Sequence, residues 1–265
     1  MAAIPPPVSH RLPLSGVIIS KNEADRIERC VLSLIGVCAE VIVLDSGSSD
    51  QTVALAQHAG ARVEHQDWLG FSAQKNAVIA LARQPWVLLL DADEWLGAGA
   101  EAGLRRLFAQ RQVETADIWR LQRRTHFLGQ ALNHGGWGRE AVQRLFRAEL
   151  RYLAANVHEK LDARGRRQAS AHLRIEHDTA RSEAEYRGKL QHYARLWAAQ
   201  KHREQRTAGA LAPSLHAAAY WLKNYLLRAG FLDGRGGWRY HACHARYVFD
   251  KYQALRGLNR QRAAS

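Results

Sequence analysis

The chain has 265 residues, of which 47% are hydrophobic and 24% charged, and its formal net charge is +13. This length and composition are typical of a soluble globular protein with one elaborated α/β domain or two small domains. They exclude a spanning helix, which needs about 18 consecutive apolar residues. Three cysteines without CxxC spacing exclude a disulfide framework and a zinc site. The first residues lack the basic start and apolar core of a signal peptide, so we expect a cytoplasmic protein.

The positive charge is concentrated in the second part of the chain. Residues 1–110 hold 9 Lys/Arg and 12 Asp/Glu, a balance of −3, whereas residues 111–265 hold 29 and 13, a balance of +16; the two sum to +13. This asymmetry predicts that the first part holds a metal ion and the second meets an anionic partner. Nucleic acid, an anionic lipid surface and a phosphorylated glycan all fit this charge.

After a Pro-rich lead-in, predicted strands and helices alternate over residues 14–96. Buried strands are predicted at residues 14–20, 40–45, 61–64 and 86–90, with helices after residue 22, at 50–59 and at about 72–83. We expect Asn22 to cap the first helix, and Ser48 with Gln51 to form a capping box before the second. This alternation predicts an α/β fold with a mostly parallel sheet and right-handed crossovers.

Three of the predicted strands run into residues that can bind a ligand. The first leads to Ser20 and Asn22, the second to Asp45, and the fourth to Asp91 and Asp93. Parallel strands share one carboxyl edge, and open α/β folds bind ligands there. We therefore predict that the five side chains converge on one crevice.

Asp91 and Asp93 are the central pair of this crevice. Two carboxylates one residue apart repel each other unless a cation lies between them or each finds its own donors. Mg²⁺ or Mn²⁺ suits oxygen ligands, and Mg²⁺ commonly takes one or two carboxylates together with substrate phosphates. The alternative is that Asp91 caps the following turn and Asp93 is solvated. No GxGxxG or GxxxxGK[ST] loop occurs, so a metal ion is the expected phosphate holder.

The last third of the sequence predicts amphipathic helices. A long polar helix is expected over residues 182–206, followed from Pro213 by a helix and, after Gly234, by a second helix with aromatic and basic residues. The apolar face of the helix after Pro213 comprises Leu215, Ala218, Leu222, Tyr225 and Leu226. Such helices can lie in the headgroup region of an anionic membrane or pack on a core. We expect both, with apolar faces inward and arginines toward the membrane.

Two sets of motifs carry a family resemblance. Residues 14–96 contain Val17-Ile-Ile-Ser-Lys-Asn-Glu23, Val43-Leu-Asp-Ser-Gly-Ser-Ser-Asp50, Gln74-Lys-Asn76 and Leu90-Asp-Ala-Asp-Glu94. This set resembles the motif series of family 2 inverting glycosyltransferases with the GT-A fold. The later set is Arg144-Leu-Phe-Arg147, Val157-His-Glu159, Ile175-Glu-His177 and the segment Tyr225–Gly234. It resembles the branch that adds glucose to the inner-core heptose of lipopolysaccharide.

The resemblance implies a Rossmann-like GT-A sheet flanked by helices, with a helical, basic C-terminal extension. It also implies a site for a nucleotide-sugar donor, formed by Ser20, Asn22, Glu23, Asp45, Lys75 and Asp91. In this site Asp45 would meet the base or ribose, Lys75 the diphosphate, and Asp91 the ribose or donor sugar.

A divalent cation, Mg²⁺ or Mn²⁺, is the cofactor that the resemblance implies. Asp93 would bind it where it bridges the two phosphates and neutralises the leaving group. His177 is the second candidate ligand, because GT-A enzymes often draw a late histidine to the metal. The alternative for His177 is a histidine that is hydrogen-bonded at a strand end.

Inversion is a single displacement, so it needs a base on the face opposite the leaving group and no enzyme nucleophile. The resemblance indicates Glu159 as this catalytic base. The alternative is that Glu159 forms an exposed ion pair with its neighbours His158 and Lys160, which would contribute little.

Acceptor contacts are predicted in and after a Gly-rich span at residues 134–139. The candidates are Trp137, Arg139, Arg144 and Arg147, because Trp offers an apolar face to a sugar ring and Arg a fork to phosphate. The alternative is a buried tryptophan beside a solvated loop.

These features predict four segments: a loose lead-in at residues 1–13, a nucleotide-sugar-binding half at 14–110, an acceptor-binding half at 111–180 and a basic helical region at 181–265. The predicted activity is metal-dependent transfer of a hexose, glucose from UDP-glucose, to lipopolysaccharide inner core at the cytoplasmic face of the inner membrane. The nearest alternative is a family 2 transferase with another sugar nucleotide or cell-envelope acceptor. A nucleotidyltransferase would normally carry a Gly-rich basic loop after the first strand. Nucleic-acid binding would leave the convergent carboxylates unexplained.

Overall fold

The computed structural model describes residues 11–137, 140–154 and 159–264. The chain forms two compact units. The first consists of the chain up to Arg123 together with Ala141–His177, and the second consists of Arg124–Glu140 and the chain from Asp178 onward.

Nine strands are assigned in the described residues. They are β1 (Leu12–Ser20), β2 (Cys38–Asp45), β3 (Arg62–His65), β4 (Trp86–Asp91), β5 (Glu94–Leu96), β6 (Ile118–Phe127), β7 (Gln130–Ala131), β8 (Glu140–Arg147) and β9 (Gln168–Asp178). Four helices accompany them: α1 (Ile27–Ile35), α2 (Thr52–His58), α3 (Phe71–Ala80) and α4 (Ala100–Ala109).

The strands form one mixed sheet in the order β3-β2-β1-β4-β8-β6-β9-β5, with β7 paired to β6. The β1, β2, β3 and β4 pairings are parallel, whereas β4 pairs with β8 and β5 with β9 in antiparallel fashion. The predicted fold class is confirmed: an α/β sheet flanked by helices, followed by a helical C-terminal region.

Apolar residues without alternation make β4 a strand that is buried on both faces. Leu88 and Leu90 belong to one hydrophobic cluster, and Val87 and Leu89 belong to another. Successive side chains of a strand point to opposite faces, so each face of the sheet has its own core. This double burial fixes where β4 ends, and it brings Asp91 to the carboxyl edge.

The predicted helix caps in the first unit are wrong. The helix after β1 begins at Ile27, not at Asn22, which has φ +55° and accepts a hydrogen bond from the Ser49 N–H at 2.9 Å. The capping box is absent as well, because α2 begins at Thr52 after Gln51, whose side chain makes no capping hydrogen bond. Asn22 thus binds the turn after β2 instead of a helix end.

The second unit is mainly helical. Its elements are α5 (Glu183–Arg203), α6 (Ala212–Trp221), a π-helical segment (Leu222–Leu227), a 3₁₀ turn (Gly230–Asp233) and α7 (Gly234–Ala264). Ser182 caps α5 by accepting from the Glu185 N–H at 3.1 Å. Phe127, Tyr186, Leu190 and Tyr240 form the buried centre of this unit.

The predicted inward orientation of the apolar face after Pro213 is wrong. Leu215, Leu222 and Leu226 are 63%, 52% and 48% exposed. The helix packs on α7 through other side chains: His216 stacks on Tyr252 at 3.9 Å. Polar aromatic residues therefore make the contacts with α7, and the leucines lie outside. None of the described helices is long and apolar enough to cross a bilayer.

Candidate active site

Asp45 ends β2 beside Ser20 at the end of β1, because the parallel register pairs these two residues. Ser20 Oγ donates to Asp45 Oδ1 at 3.1 Å, and the N–H groups of Gly47 and Ser48 donate to Asp45 Oδ2 at 2.9 and 2.7 Å. Asp45 is buried. Its carboxylate therefore orders the turn that follows β2.

Asn22 and Glu23 lie against the same turn. Asn22 Oδ1 accepts from the Ser49 N–H, and the backbone N–H of Glu23 donates to Thr52 Oγ1 at 2.8 Å. Together with the Asp45 turn they form one hydrogen-bonded group. The structure thus brings four predicted donor-site residues, which lie at or just after the ends of β1 and β2, to one edge of the sheet: Ser20, Asn22, Glu23 and Asp45.

Asp91, at the end of β4, is held by two cations. Arg144 Nη2 donates to Asp91 Oδ2 at 2.5 Å, and Lys75 Nζ lies 3.3 Å from Asp91 Oδ1. Burial alone would raise the pKa of Asp91, but the charges of Arg144 and Lys75 outweigh it and hold the pKa well below its usual range. Asp91 therefore carries a negative charge that is already neutralised within the protein.

Glu94 is a structural carboxylate that was not among the predicted site residues. Its side chain is fully buried, accepts from Arg144 Nη2 at 2.7 Å and from the Asp91 N–H at 3.1 Å, and lies 3.3 Å from Arg123 Nη1. It therefore fixes both the backbone and the cation that position Asp91. The sequence did contain a signal for this role: Glu94 directly follows Asp91-Ala-Asp93, and a third carboxylate so close to two others needs hydrogen-bond donors of its own.

Lys75 and Glu159 form an ion pair. Lys75 Nζ donates to Glu159 Oε1 at 2.8 Å, although 84 residues separate them in the chain. Burial lowers the pKa of Lys75, but Asp91 and the hydrogen bond to Glu159 raise it, so that the net shift is upward. Burial raises the pKa of Glu159, but the hydrogen bond and charge of Lys75 lower it below its usual value. Both groups are therefore charged at neutral pH.

Asn76 holds the backbone of Tyr152. Its Nδ2 donates to the Tyr152 carbonyl at 2.9 Å, and its Oδ1 accepts from the Tyr152 N–H at 2.7 Å. Tyr152 is bridged to Leu161 beyond Glu159. Two neighbouring residues of α3 therefore have related roles. Lys75 binds the Glu159 side chain, and Asn76 binds the backbone of Tyr152.

Asp93 and His177 meet beside this network. The antiparallel register places His177 of β9 opposite Glu94 of β5, and His177 Nε2 lies 3.4 Å from Asp93 Oδ2. Burial raises the pKa of Asp93, but the hydrogen bond and charge of His177 outweigh it, so that the net shift is downward. The two predicted metal ligands are therefore neighbours.

The donor set of this pair fits a divalent cation. Ligands at about 2.0–2.2 Å from one metal ion lie about 3 Å apart when they are adjacent in its coordination sphere. The 3.4 Å separation of Asp93 and His177 is close to that value, and His177 Nδ1 is buried without a hydrogen-bond partner. Within the described residues no group of three or more His, Cys, Asp or Glu converges. The pair could therefore supply part of a coordination sphere, with substrate phosphates supplying more.

Three of the four predicted acceptor residues are described, and each has its own contacts. Arg144 belongs to the Asp91 network, and the guanidinium of Arg147 lies 4.2 Å from the centre of the Trp86 ring. Trp137 belongs to the second unit, where its ring packs on Tyr240 at 5.5 Å. Arg139 lies outside the described residues.

Comparison with known proteins assigns the family. The model of glycosyl transferase family 2 matches residues 15–148, half of the chain. An uncharacterized glycosyltransferase of Rickettsia bellii is 41% identical over 101 residues, which cover 38% of this chain and 34% of that protein. The lipopolysaccharide core biosynthesis glycosyltransferase LpsC of Rhizobium meliloti is 37% identical over 126 residues, 45% of each chain.

Glucosyl-3-phosphoglycerate synthase of Mycobacterium tuberculosis has a similar structure over 42% of this chain and 43% of its own. Its sequence identity is 25% and the TM-score is 0.35, so this likeness carries no weight for function.

The class of protein follows from the fold together with the family match. The fold is a mixed α/β sheet with charged groups at its carboxyl edge, and the family model matches residues 15–148. The chain belongs to glycosyl transferase family 2. The matched segments span 34% to 45% of the length of the two curated relatives.

Proposed function

We propose that the chain is a metal-dependent, inverting hexosyltransferase that transfers glucose from UDP-glucose to the inner core of lipopolysaccharide. The observation that carries this proposal is the row of charged groups at one sheet edge. Asp93 and His177 lie 3.4 Å apart, and Lys75 lies 3.3 Å from Asp91 and 2.8 Å from Glu159. Family membership supports sugar transfer, and the likeness to LpsC supports the acceptor class.

Glu159 is assigned as the base. It takes the proton of the acceptor hydroxyl while that oxygen attacks the anomeric carbon of the donor sugar and the nucleoside diphosphate leaves. Lys75 binds Oε1 and keeps the carboxylate charged, so Oε2 is the oxygen that we assign to the acceptor hydroxyl. Asn76 positions the supporting backbone.

The remaining charged residues are assigned to the donor. Asp93 and His177 would hold a divalent cation, which gives electrophilic assistance to the departing diphosphate. Asp91 is kept in place by Arg144 and Glu94 and is assigned to the ribose or the donor sugar. Asp45, with the Asn22 turn that packs beside it, is assigned to the nucleoside.

The acceptor and location assignments belong to the same proposal. We assign residues 14–110 to the donor, 111–180 to the acceptor and 181–265 to an anionic membrane that carries the acceptor. The enzyme then acts at the cytoplasmic face of the inner membrane. The 29 Lys/Arg against 13 Asp/Glu after residue 110 support this assignment.

The decisive experiment is a thermal-shift screen of sugar nucleotides with and without Mn²⁺, because a ligand of the native state raises the melting temperature. We expect UDP-glucose to stabilise the protein only with the cation, and Asp93→Asn to remove that stabilisation together with transfer activity. Asp67→Asn is the matched control, since Asp67 is highly exposed and pairs with His65 at 3.2 Å. UDP-glucose binding that is equal in excess chelator would contradict the metal assignment, and stabilisation by another sugar nucleotide alone would replace the donor.

A further inference from the structure

The second unit has an exposed apolar face on consecutive helical turns. Leu211, Leu215, Leu222, Leu226 and Leu227 follow one side of α6 and the π-helical segment, at spacings of 4, 7, 4 and 1 residues. All five are exposed, from 48% at Leu226 to 77% at Leu227. A soluble surface rarely exposes a continuous apolar stripe of this kind unless it binds something.

An aromatic group adjoins these leucines. Trp221 stacks on Tyr225 at 4.4 Å, Trp238 meets Trp221 edge-on at 4.9 Å, and Phe231 lies 6.3 Å from Tyr225. Phe231 and Trp238 are about half exposed. The aromatic rings and the five leucines together are called the leucine–aromatic face.

Positive charge predominates in the part of the chain that carries the leucine–aromatic face. Between Glu204 and Asp250 the sequence contains six Lys/Arg and one acidic residue, Asp233. Asp233 is buried and accepts hydrogen bonds from the backbone N–H groups of Asn133 and His134. Lys223 and Arg235 are exposed. Within residues 205–249 the exposed charges are therefore all positive, and the carboxylate that meets them is the partly exposed Glu183 of α5, which pairs with Arg239.

An open pocket lies within this face. Tyr225, Phe231 and Trp238 supply apolar walls, and Arg235 and Arg239 supply cations. Arg239 is paired with Glu183 at 2.7 Å. The pocket thus offers aromatic surface and a guanidinium to one ligand, a combination that suits an anionic headgroup attached to an acyl chain.

We propose that the leucine–aromatic face docks on the surface of an anionic phospholipid bilayer, with Arg235 at the headgroup phosphates. Leucines and aromatic rings enter the headgroup region, and the surrounding cations meet the negative surface. A second copy of the chain is a poorer occupant, because it would bring Lys223 and Arg235 against the same cations. An acidic protein would pair with the cations, but its charged surface would gain nothing from the five exposed leucines.

This inference rests on the proposed function in one respect: the proposed acceptor is carried by a membrane, and the leucine–aromatic face is the surface that would meet that membrane. The vesicle-binding assay needs neither acceptor, donor nor metal, so failure of this inference is distinguishable from failure of the transferase assignment. UDP-glucose stabilisation in the presence of Mn²⁺ is measured on every variant, and we expect the surface substitutions to leave it unchanged.

The test is flotation of the full chain with vesicles of phosphatidylglycerol and phosphatidylcholine, and with phosphatidylcholine alone. One variant is Lys223→Glu with Arg235→Glu. Its control is Lys189→Glu with Arg195→Glu, which changes the net charge equally at exposed positions of α5. Each cation near the surface contributes about fivefold to binding, so we expect the first variant to lose roughly 25-fold or more in vesicle partitioning and the control much less.

A second pair of variants tests the apolar contribution. Leu222→Gln with Leu227→Gln removes two leucines of the face, and Leu32→Gln with Leu196→Gln removes two exposed leucines elsewhere. Only the first pair should weaken flotation, by about tenfold or more. Because all four leucines are exposed, the melting temperatures should stay near that of the unchanged protein.

The proposal is overturned if anionic and neutral vesicles bind the chain equally. It is also overturned if the α5 control loses as much binding as Lys223→Glu with Arg235→Glu, since total charge would then be responsible. A chain that ignores vesicles but changes its oligomeric state in Leu222→Gln with Leu227→Gln would make the face a protein interface instead.

Discussion

At the scale of single residues, the site consists of charges that are neutralised in pairs and then joined. Lys75 stands between Asp91 and Glu159, and Arg144 stands between Asp91 and Glu94. A buried charge is costly unless it is paired and hydrogen-bonded, so each side chain depends on its neighbour for its position. The proposed base is therefore connected to the donor-side carboxylate through one lysine.

Glu159→Gln tests the base. Glutamine keeps the size and the hydrogen bond to Lys75 but cannot take a proton. A base typically contributes about 10²–10⁴-fold, so we expect the transfer rate to fall by that factor while UDP-glucose affinity stays near normal. Glu149→Gln, at an exposed acid paired with Arg166, is the control. Transfer within a few-fold of the unchanged enzyme would make Glu159 an ion-pair residue.

Lys75→Met tests the pH dependence of the base. Lys75 lowers the pKa of Glu159, whereas burial and Asp91 raise it. A lowered pKa keeps the carboxylate ionised to lower pH, so the acid limb of kcat/KM lies below the ordinary range of a glutamate. Removing Lys75 takes away the two largest lowering influences on the pKa of Glu159, its hydrogen bond and its charge, so the acid limb should move to higher pH. The measurement is kcat/KM against pH for both enzymes; an unmoved limb would show that Glu159 is not the titrating group.

At the scale of elements, the first turns of α7 lie very close to the backbone of the preceding 3₁₀ turn. A Cβ added at Gly237 would lie 2.3 Å from the Gly230 carbonyl oxygen and 2.8 Å from Asp233 Cβ. The 3₁₀ turn Gly230–Asp233 can therefore pack on the first turns of α7 only because residue 237 has no side chain. This contact supports the segment that carries Phe231 and Asp233.

Two glycine substitutions on the same helix should act in opposite directions. Gly237→Ala forces a backbone shift, and we expect it to lower the free energy of unfolding by about 1–3 kcal/mol. Gly257→Ala meets nothing within 4 Å and should raise the free energy by about 0.5–1 kcal/mol, because alanine is the better helix former. Urea denaturation of both variants measures the two changes; equal effects would contradict the packing argument.

At the scale of the whole molecule, charge and chemistry are divided along the sequence. The acidic first 110 residues supply five of the seven acids and histidines of the site (Glu23, Asp45, Asp91, Asp93 and Glu94), whereas the later residues supply Glu159, His177 and most of the positive charge. Long-range attraction between exposed charges falls as salt screens it, with a Debye length of about 10 Å at 0.1 M. Buried ion pairs in the site are screened much less.

Salt should therefore weaken the proposed binding to an anionic membrane much more than the proposed binding of the donor. Raising the salt concentration from about 0.1 to 1 M shortens the Debye length to about 3 Å. We expect transfer to a vesicle-borne acceptor to fall steeply over this range, while donor binding measured by thermal shift changes little. The control is transfer to a water-soluble acceptor fragment under the same conditions. A parallel fall in both reactions would place the salt effect in the site itself.

The pattern of the sequence was sufficient for the α/β class and for the edge at which the site lies. Period and apolar runs are local properties, and a short run such as Trp86–Leu90 is typical of a strand covered on both faces. The same local reasoning placed Ser20 next to Asp45 and brought Asp91 to the strand end.

Turn and helix boundaries depended on partners far away in the chain. Asn22 has the composition of a helix cap, yet its side chain binds Ser49, because the end of β1 and the turn after β2 lie side by side in the parallel sheet. The leucines after Pro213 have the spacing of a buried face, yet His216 and Tyr220 take the contacts with α7. A hydrophobic period shows that a helix has two sides, but not which side finds a partner.

By itself, then, the sequence determined the fold class, the carboxyl-edge location of the site and its candidate acids, because these follow from local pattern. Only the tertiary structure decided that Lys75 joins Glu159 to Asp91, that Glu94 is buried beneath Arg144, and that the apolar side of α6 lies in solvent. Pairing between residues 50 to 84 positions apart, as in Arg144 with Glu94 and Lys75 with Glu159, depends on strand register and side-chain packing, which the whole fold sets and no local window contains.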